Sequence, residues 1–206
     1  SIYSKLYGNA DDFTFTIVGN VDLETLRPLV EKYLGSLPKT KNGYSWADDG
    51  VRYPQGHVVN RFSTPMEMPK TSIYTVFTGE MPYTLQNILG MDILSQILDI
   101  RYTATIREEK GGTYGVQTST QLSYAPVSTY MLFTTFDTDP TRVEELKADI
   151  VNEIRMIAEN GVNEEDLAKI KEYFAKQHPD DIRQNRYWAN ILTQYHVNGY
   201  DLESNY

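Results

Sequence analysis

A chain of 206 residues with 40% hydrophobic and 23% charged residues has the balance of an ordinary globular protein and enough length to bury a core. Its formal net charge of -9 argues against a surface built for nucleic-acid phosphates, and the densest basic stretch is only Lys39 to Lys41 in a Gly/Asn-rich loop. No apolar run approaches a membrane span, the first residues lack the apolar core of a signal peptide, and with Cys 0 neither disulfide nor thiolate chemistry is available.

Residues 12–19 alternate Phe13, Phe15 and Ile17 against Thr14 and Thr16, the period of a half-buried strand. Asp22 then caps a helix through Leu34, with Leu23, Leu26, Leu29 or Val30, and Tyr33 on one face, Pro28 inside and Gly35 as its stop. Residues 39–56 are polar and aperiodic, a linker in which Tyr44 and Trp46 are expected to pin the chain to a surface. Strands are predicted near 57–63 and 70–79, the second rich in Thr, Ile, Tyr, Val and Phe.

The strongest helical stripe runs from Thr84 to Glu109 through Leu85, Ile88, Leu94, Ile97, Leu98 and Tyr102, and Gly111-Gly112 ends it. A strand over 113–124 places Tyr114, Val116, Leu122 and Tyr124 on one side and Gln117, Ser119, Gln121 and Ser123 on the other. Ala125 to Ser128 connects it to a strand over 129–137. Asp139-Pro140 then opens a helix running to Asn160-Gly161, and Asn163 caps the next one. Pro179-Asp180-Asp181 is expected to separate that helix from a last one near 181–197. Strand followed by capped helix occurs twice, at 12–34 and 129–159, which points to related α+β units. The fold class is therefore α+β: a mainly antiparallel sheet with helices packed on one face.

Catalytic signatures are missing. Catalytic zinc helices need two histidines facing one ion, yet His57, His178 and His196 are far apart in sequence and neither H-E-x-x-H nor H-x-x-E-H is present. There is no G-x-S-x-G, and Gly111-Gly112-Thr113-Tyr114-Gly115 lacks the Gly-Lys-Ser/Thr ending of a phosphate loop. Glu108 and Glu109 are adjacent and point to different sides of a helix, so they make no carboxylate dyad. What remains is Arg107 and Tyr114, two donors on either side of a chain reversal. Converging on a peptide carbonyl, they would hold it and stabilise an oxyanion. Equally, Arg107 could complement a helix C-terminus and Tyr114 could be core; the residues alone leave both readings open.

The segment Arg107-Glu-Glu-Lys-Gly-Gly-Thr-Tyr114 resembles the R-E-E-x-G-x-x-Y segment in the C-terminal regions of the pitrilysin/insulysin zinc peptidases. Other pieces agree in order: Phe13 to Asp22 with Lys32 to Pro38, Gly161 to Leu167, and Asn185-Arg-Tyr-Trp188. The resemblance implies homologous α+β domains in two halves around a chamber. One domain carries H-x-x-E-H and zinc, and a distant metal-free domain supplies an Arg and a Tyr to the substrate. Those two fall on Arg107 and Tyr114. Residues 1–38 would then close a preceding domain, 39–56 would be the linker, and 57–206 the C-terminal non-catalytic domain, with a closing strand beyond 206. This chain would bind no metal and cleave nothing by itself. Its partners would be the zinc-bearing N-terminal half and a peptide, with no nucleic acid and no membrane segment. A non-proteolytic scaffold or peptide-binding subunit of the same family is the alternative, and an unrelated α+β adaptor is a third. The compartment is not readable from the sequence; a bacterial member could be periplasmic or cytoplasmic.

Overall fold

The computed structural model describes residues 2–40 and 46–199. The chain divides into two compact units, residues 1–49 with 177–206, and residues 50–176.

In the first unit a short helix α1 (Ile2–Tyr7) precedes α2 (Leu23–Tyr33), and α6 (Asn185–Asn198) comes from the far end of the chain. Asp22 starts α2 as predicted: its carboxylate accepts the Thr25 N–H at 2.8 Å and the Thr25 hydroxyl at 2.7 Å. These bonds favour the ionised form and hold the Asp22 pKa below the usual carboxylate value. Pro28 is accommodated inside the helix. The strand expected over 12–19 carries no ladder. Phe13, Phe15 and Ile17 keep 40, 47 and 46% of their surface exposed. A strand needs a neighbour to take its backbone hydrogen bonds, and no described segment of this unit supplies one. Among its described residues none is buried.

The second unit holds the core. Strands β1 (Thr71–Glu80), β2 (Val116–Ser123) and β3 (Thr129–Thr138) form a three-stranded antiparallel sheet in the order β1-β3-β2. Thr71 stands opposite Thr138 and Glu80 opposite Thr129 on one side of β3; Val116 stands opposite Phe136 on the other. This register puts Ile73, Val116, Leu132 and Phe136 on one face, against α3 (Leu85–Tyr102) and α4 (Val143–Asn160). Met91, Leu98, Tyr102, Ile106, Leu146 and Ile150 complete the cluster from the helical side. The opposite sheet face carries Tyr74, 65% exposed, in a stacked contact with Phe133 at 6.0 Å. Helices therefore cover one face of an antiparallel sheet, and the α+β class stands.

Asp139 caps the entry to α4 through a single turn at Pro140–Arg142 and accepts the Thr141 N–H at 2.8 Å. Helix α5 (Glu164–Asp181) begins after Asn163, whose side chain accepts the Glu165 N–H at 2.8 Å. It runs through Pro179 where a break was expected. A proline near a helix end removes one late hydrogen bond and leaves the earlier turns intact. The strand expected at 57–63 is also without a ladder, and Val58, Val59 and Phe62 are exposed. Trp46 stays 72% exposed instead of packing down as expected, and Tyr44 lies outside the described residues. Among the described residues no helix is long and apolar enough to cross a membrane.

Candidate functional site

The helical stripe beginning in α3 continues to Glu109 as predicted, but its last part, Thr103–Glu109, is a π-helix. Its side chains are set by burial: Tyr102 and Ile106 have no exposed surface, whereas Arg107, Glu108 and Glu109 face solvent. Burial pushes the Tyr102 phenol well above the usual tyrosine range, and its hydroxyl donates to the Ile150 carbonyl at 3.2 Å.

The end of this helix is a widened Schellman-type closure. Gly111 N–H donates to Arg107 O at 3.0 Å and Gly112 N–H donates to Ile106 O at 2.9 Å, each loop one residue wider than in the ordinary motif. The two glycines serve different needs. Gly111 has φ +56, the left-handed region that a side chain resists. Gly112 lies against the core: a Cβ there would sit 2.7 Å from Leu146 Cδ1 and 2.8 Å from its Cδ2. Gly111→Ala should cost about 1 kcal/mol of stability, and Gly112→Ala about 1–3 kcal/mol through overpacking. Urea midpoints followed by far-ultraviolet circular dichroism check the order; the reverse order would place the constraint in the backbone rather than in packing.

On either side of Gly111 the chain is tied down at each step. Arg142 Nη1 donates to Lys110 O at 2.9 Å, and the buried Thr138 hydroxyl donates to Gly112 O at 2.7 Å. Lys110 Nζ reaches Asp149 at 2.6 Å and Glu145 at 3.3 Å. The Asp149 contact is the largest reason its ammonium holds its proton above the ordinary lysine value. The Thr113 hydroxyl accepts the Gly115 N–H at 3.3 Å and donates to Gly115 O at 3.1 Å. Tyr114 lies at the tip of this small turn with its side chain 100% exposed.

Tyr114 therefore does not share the core face of β2 with Val116, as the alternation suggested. The Thr113 turn delays the strand to Val116, so the period-two rule does not reach back to Tyr114. The Arg107 and Tyr114 side chains both face solvent and make no hydrogen bond or ion pair with any described residue. What the sequence reading missed is the support beneath them, Thr138, Arg142, Glu145, Asp149 and Glu153. Its one sequence signal was the i, i+4, i+8 spacing of the three acids on α4.

Elsewhere, Asp99 on α3 accepts the Thr118 N–H at 2.9 Å and so occupies a hydrogen-bond position on the edge of β2. Partial burial raises the carboxyl pKa of both Asp99 and Asp92. The described residues do not fit a zinc site. His196 Nε2 is hydrogen-bonded to the Thr14 hydroxyl at 2.8 Å, and the His178 ring meets the edge of Tyr187 at 6.1 Å. Among the described residues no three His, Cys, Asp or Glu side chains converge as metal ligands.

In fold, the chain is similar to solved proteases. The crystal structure of the periplasmic protease PqqL from Escherichia coli matches with a TM-score of 0.70 and 19% identity, covering 86% of this chain and 20% of that one. A protease from Helicobacter pylori matches at 0.65 and 15%, covering 90% and 45%. The family model described as the peptidase M16 inactive domain matches residues 1–174, so the chain belongs to that family. A zinc protease PQQL-like protein of Arabidopsis thaliana is 24% identical over 203 residues, 92% of this chain and 21% of the relative. The chain thus spans about a fifth of that relative's length. The resemblance to pitrilysin-type zinc peptidases is borne out.

Proposed function

We propose that this chain binds and positions peptide substrate within a zinc metalloendopeptidase, with Arg107 and Tyr114 donating to a carbonyl of the bound peptide. One observation carries the reading: two donors with no bond to any described residue project from a segment that its neighbours hold in place. An idle guanidinium and phenol on a mobile loop would be unremarkable surface. Donors pre-set on a supported turn lose less freedom when they engage a ligand, which is the condition for stabilising developing charge.

Zinc would be carried by the N-terminal half of the intact protein and would supply the hydrolytic chemistry there. The share of this chain is to grip the peptide and offer hydrogen bonds to the carbonyl oxygen as it gains charge. Its family membership and the zinc-protease names of its relatives support that division of labour. We also propose that residues 1–38 close a neighbouring α+β domain, that 39–56 link, and that 57–206 belong to the non-catalytic domain. The absence of any buried residue among the described part of the first unit supports a missing partner for 1–38.

Tyr114→Phe removes one hydroxyl and nothing from the core. In the intact peptidase it should lower kcat/KM for a peptide by roughly 10–100-fold. Steady-state kinetics on a fluorogenic peptide read the effect, and an unchanged kcat/KM would remove Tyr114 from the clamp.

A further inference from the structure

We propose that the acidic ladder on α4, Glu145–Asp149–Glu153, is a positioning device that selects the π-helical geometry of Thr103–Glu109 and so fixes the side from which Arg107 projects. Its functional consequence rests on the substrate-clamp reading above.

The three acids are spaced i, i+4, i+8 and share one face of α4. Glu153, only 8% exposed, accepts from Arg101 Nε at 2.5 Å and from the Thr105 hydroxyl at 3.0 Å. Asp149 and Glu145 hold Lys110 at 2.6 and 3.3 Å, and Glu145 also meets Arg142 at 3.3 Å. On the opposing chain the anchors are therefore Arg101, Thr105 and Lys110. The first step is four residues, as an α-helix requires, and the second is five, as a π-turn requires.

The alternative shows why the acids matter. At about 100° per residue, an α-helix continued from Arg101 would carry Lys110 roughly 180° away from the Arg101 face. The same continuation would bring Glu108 to within about 20° of that face, a fourth carboxylate toward three. Such a pairing of like charges in a partly desolvated contact is unfavourable. The wider turn removes the conflict: Lys110 meets the ladder, while Glu108 and Glu109 face solvent. Arg107 lies inside the widened turn, so its direction changes with the geometry that the ladder chooses.

The test uses the intact peptidase, with Arg107→Ala as reference. Lys110→Glu should lower kcat by about 10–100-fold with a smaller change in KM, the effect of a misaimed donor. The charge swap Lys110→Glu with Asp149→Lys should restore most of that loss. Lys110→Met keeps the aliphatic stem and loses only the charge; it should reproduce the loss where Lys110→Glu does not fold. An unchanged kcat in both Lys110 variants beside an impaired Arg107→Ala overturns the ladder and leaves the clamp standing. A loss that the swap does not recover overturns the ladder too. Full activity in Arg107→Ala removes the clamp and this inference with it.

Discussion

On the proposed clamp, Arg107→Ala in the intact protein is expected to lower kcat/KM for peptide hydrolysis by roughly 10–1,000-fold, the range for losing a donor to a developing oxyanion. Stability should barely move, within about 0.5 kcal/mol, because the Arg107 side chain is exposed and makes no bond to a described residue. The competing role makes the opposite pair of statements. If Arg107 only complements the helix C-terminus, its removal costs about 0.3–1 kcal/mol of stability and nothing in turnover. Arg107→Lys separates the two further: a lysine still serves the dipole but lacks the planar fork that can donate twice to one carbonyl. Under the clamp reading Arg107→Lys remains impaired; under the dipole reading it behaves as the parent. Steady-state kinetics and a thermal melt on the same three proteins decide between them.

The helices were legible because their signals are local. Asp22, Asp139 and Asn163 each carry their capping chemistry in their own side chains, and the stripe from Leu85 to Tyr102 needs only one partner face. The segments 12–19 and 57–63, which carry no ladder, were misread for a related reason. Alternation at Phe13, Phe15 and Ile17 describes how side chains would sort if a strand formed, but the ladder comes from a neighbour that alternation cannot name. The π-turn was hidden because Leu98, Tyr102 and Ile106 recur at four, a spacing that an α-helix accepts. Only the acids of α4, brought alongside by the fold, reveal that Lys110 must take the place Glu108 would have had. For the candidate site, the residue types were readable and the parity was not. A strand start placed a few residues early put Tyr114 on the same side as Val116 and left a core role open, and the hydroxyl of Thr113 is what displaces it.

Leu146→Ala should produce the largest loss of stability in the second unit, about 2–5 kcal/mol. Leu146 has no exposed surface, belongs to the cluster with Tyr102, Ile106 and Ile150, and presses its methyl groups against Gly112. Truncation removes those contacts and opens a cavity beneath the Gly111-Gly112 turn, which is held from below chiefly by this side chain and by the Thr138 hydroxyl. Both tryptophans, Trp46 and Trp188, lie in the other unit, so unfolding must be followed by far-ultraviolet circular dichroism instead of indole fluorescence. The double variant Gly112→Ala with Leu146→Ala tests the contact itself. The methyl group that overpacks the parent has room in the cavity, so the pair should be more stable than the sum of the single losses by about 0.5–3 kcal/mol. Strict additivity would mean that Gly112 does not rest on Leu146 in solution. Turnover in the intact peptidase then links packing to the clamp: Leu146→Ala loosens the support of Tyr114 and should lower kcat even at a temperature where the protein remains folded, while the double variant recovers part of it.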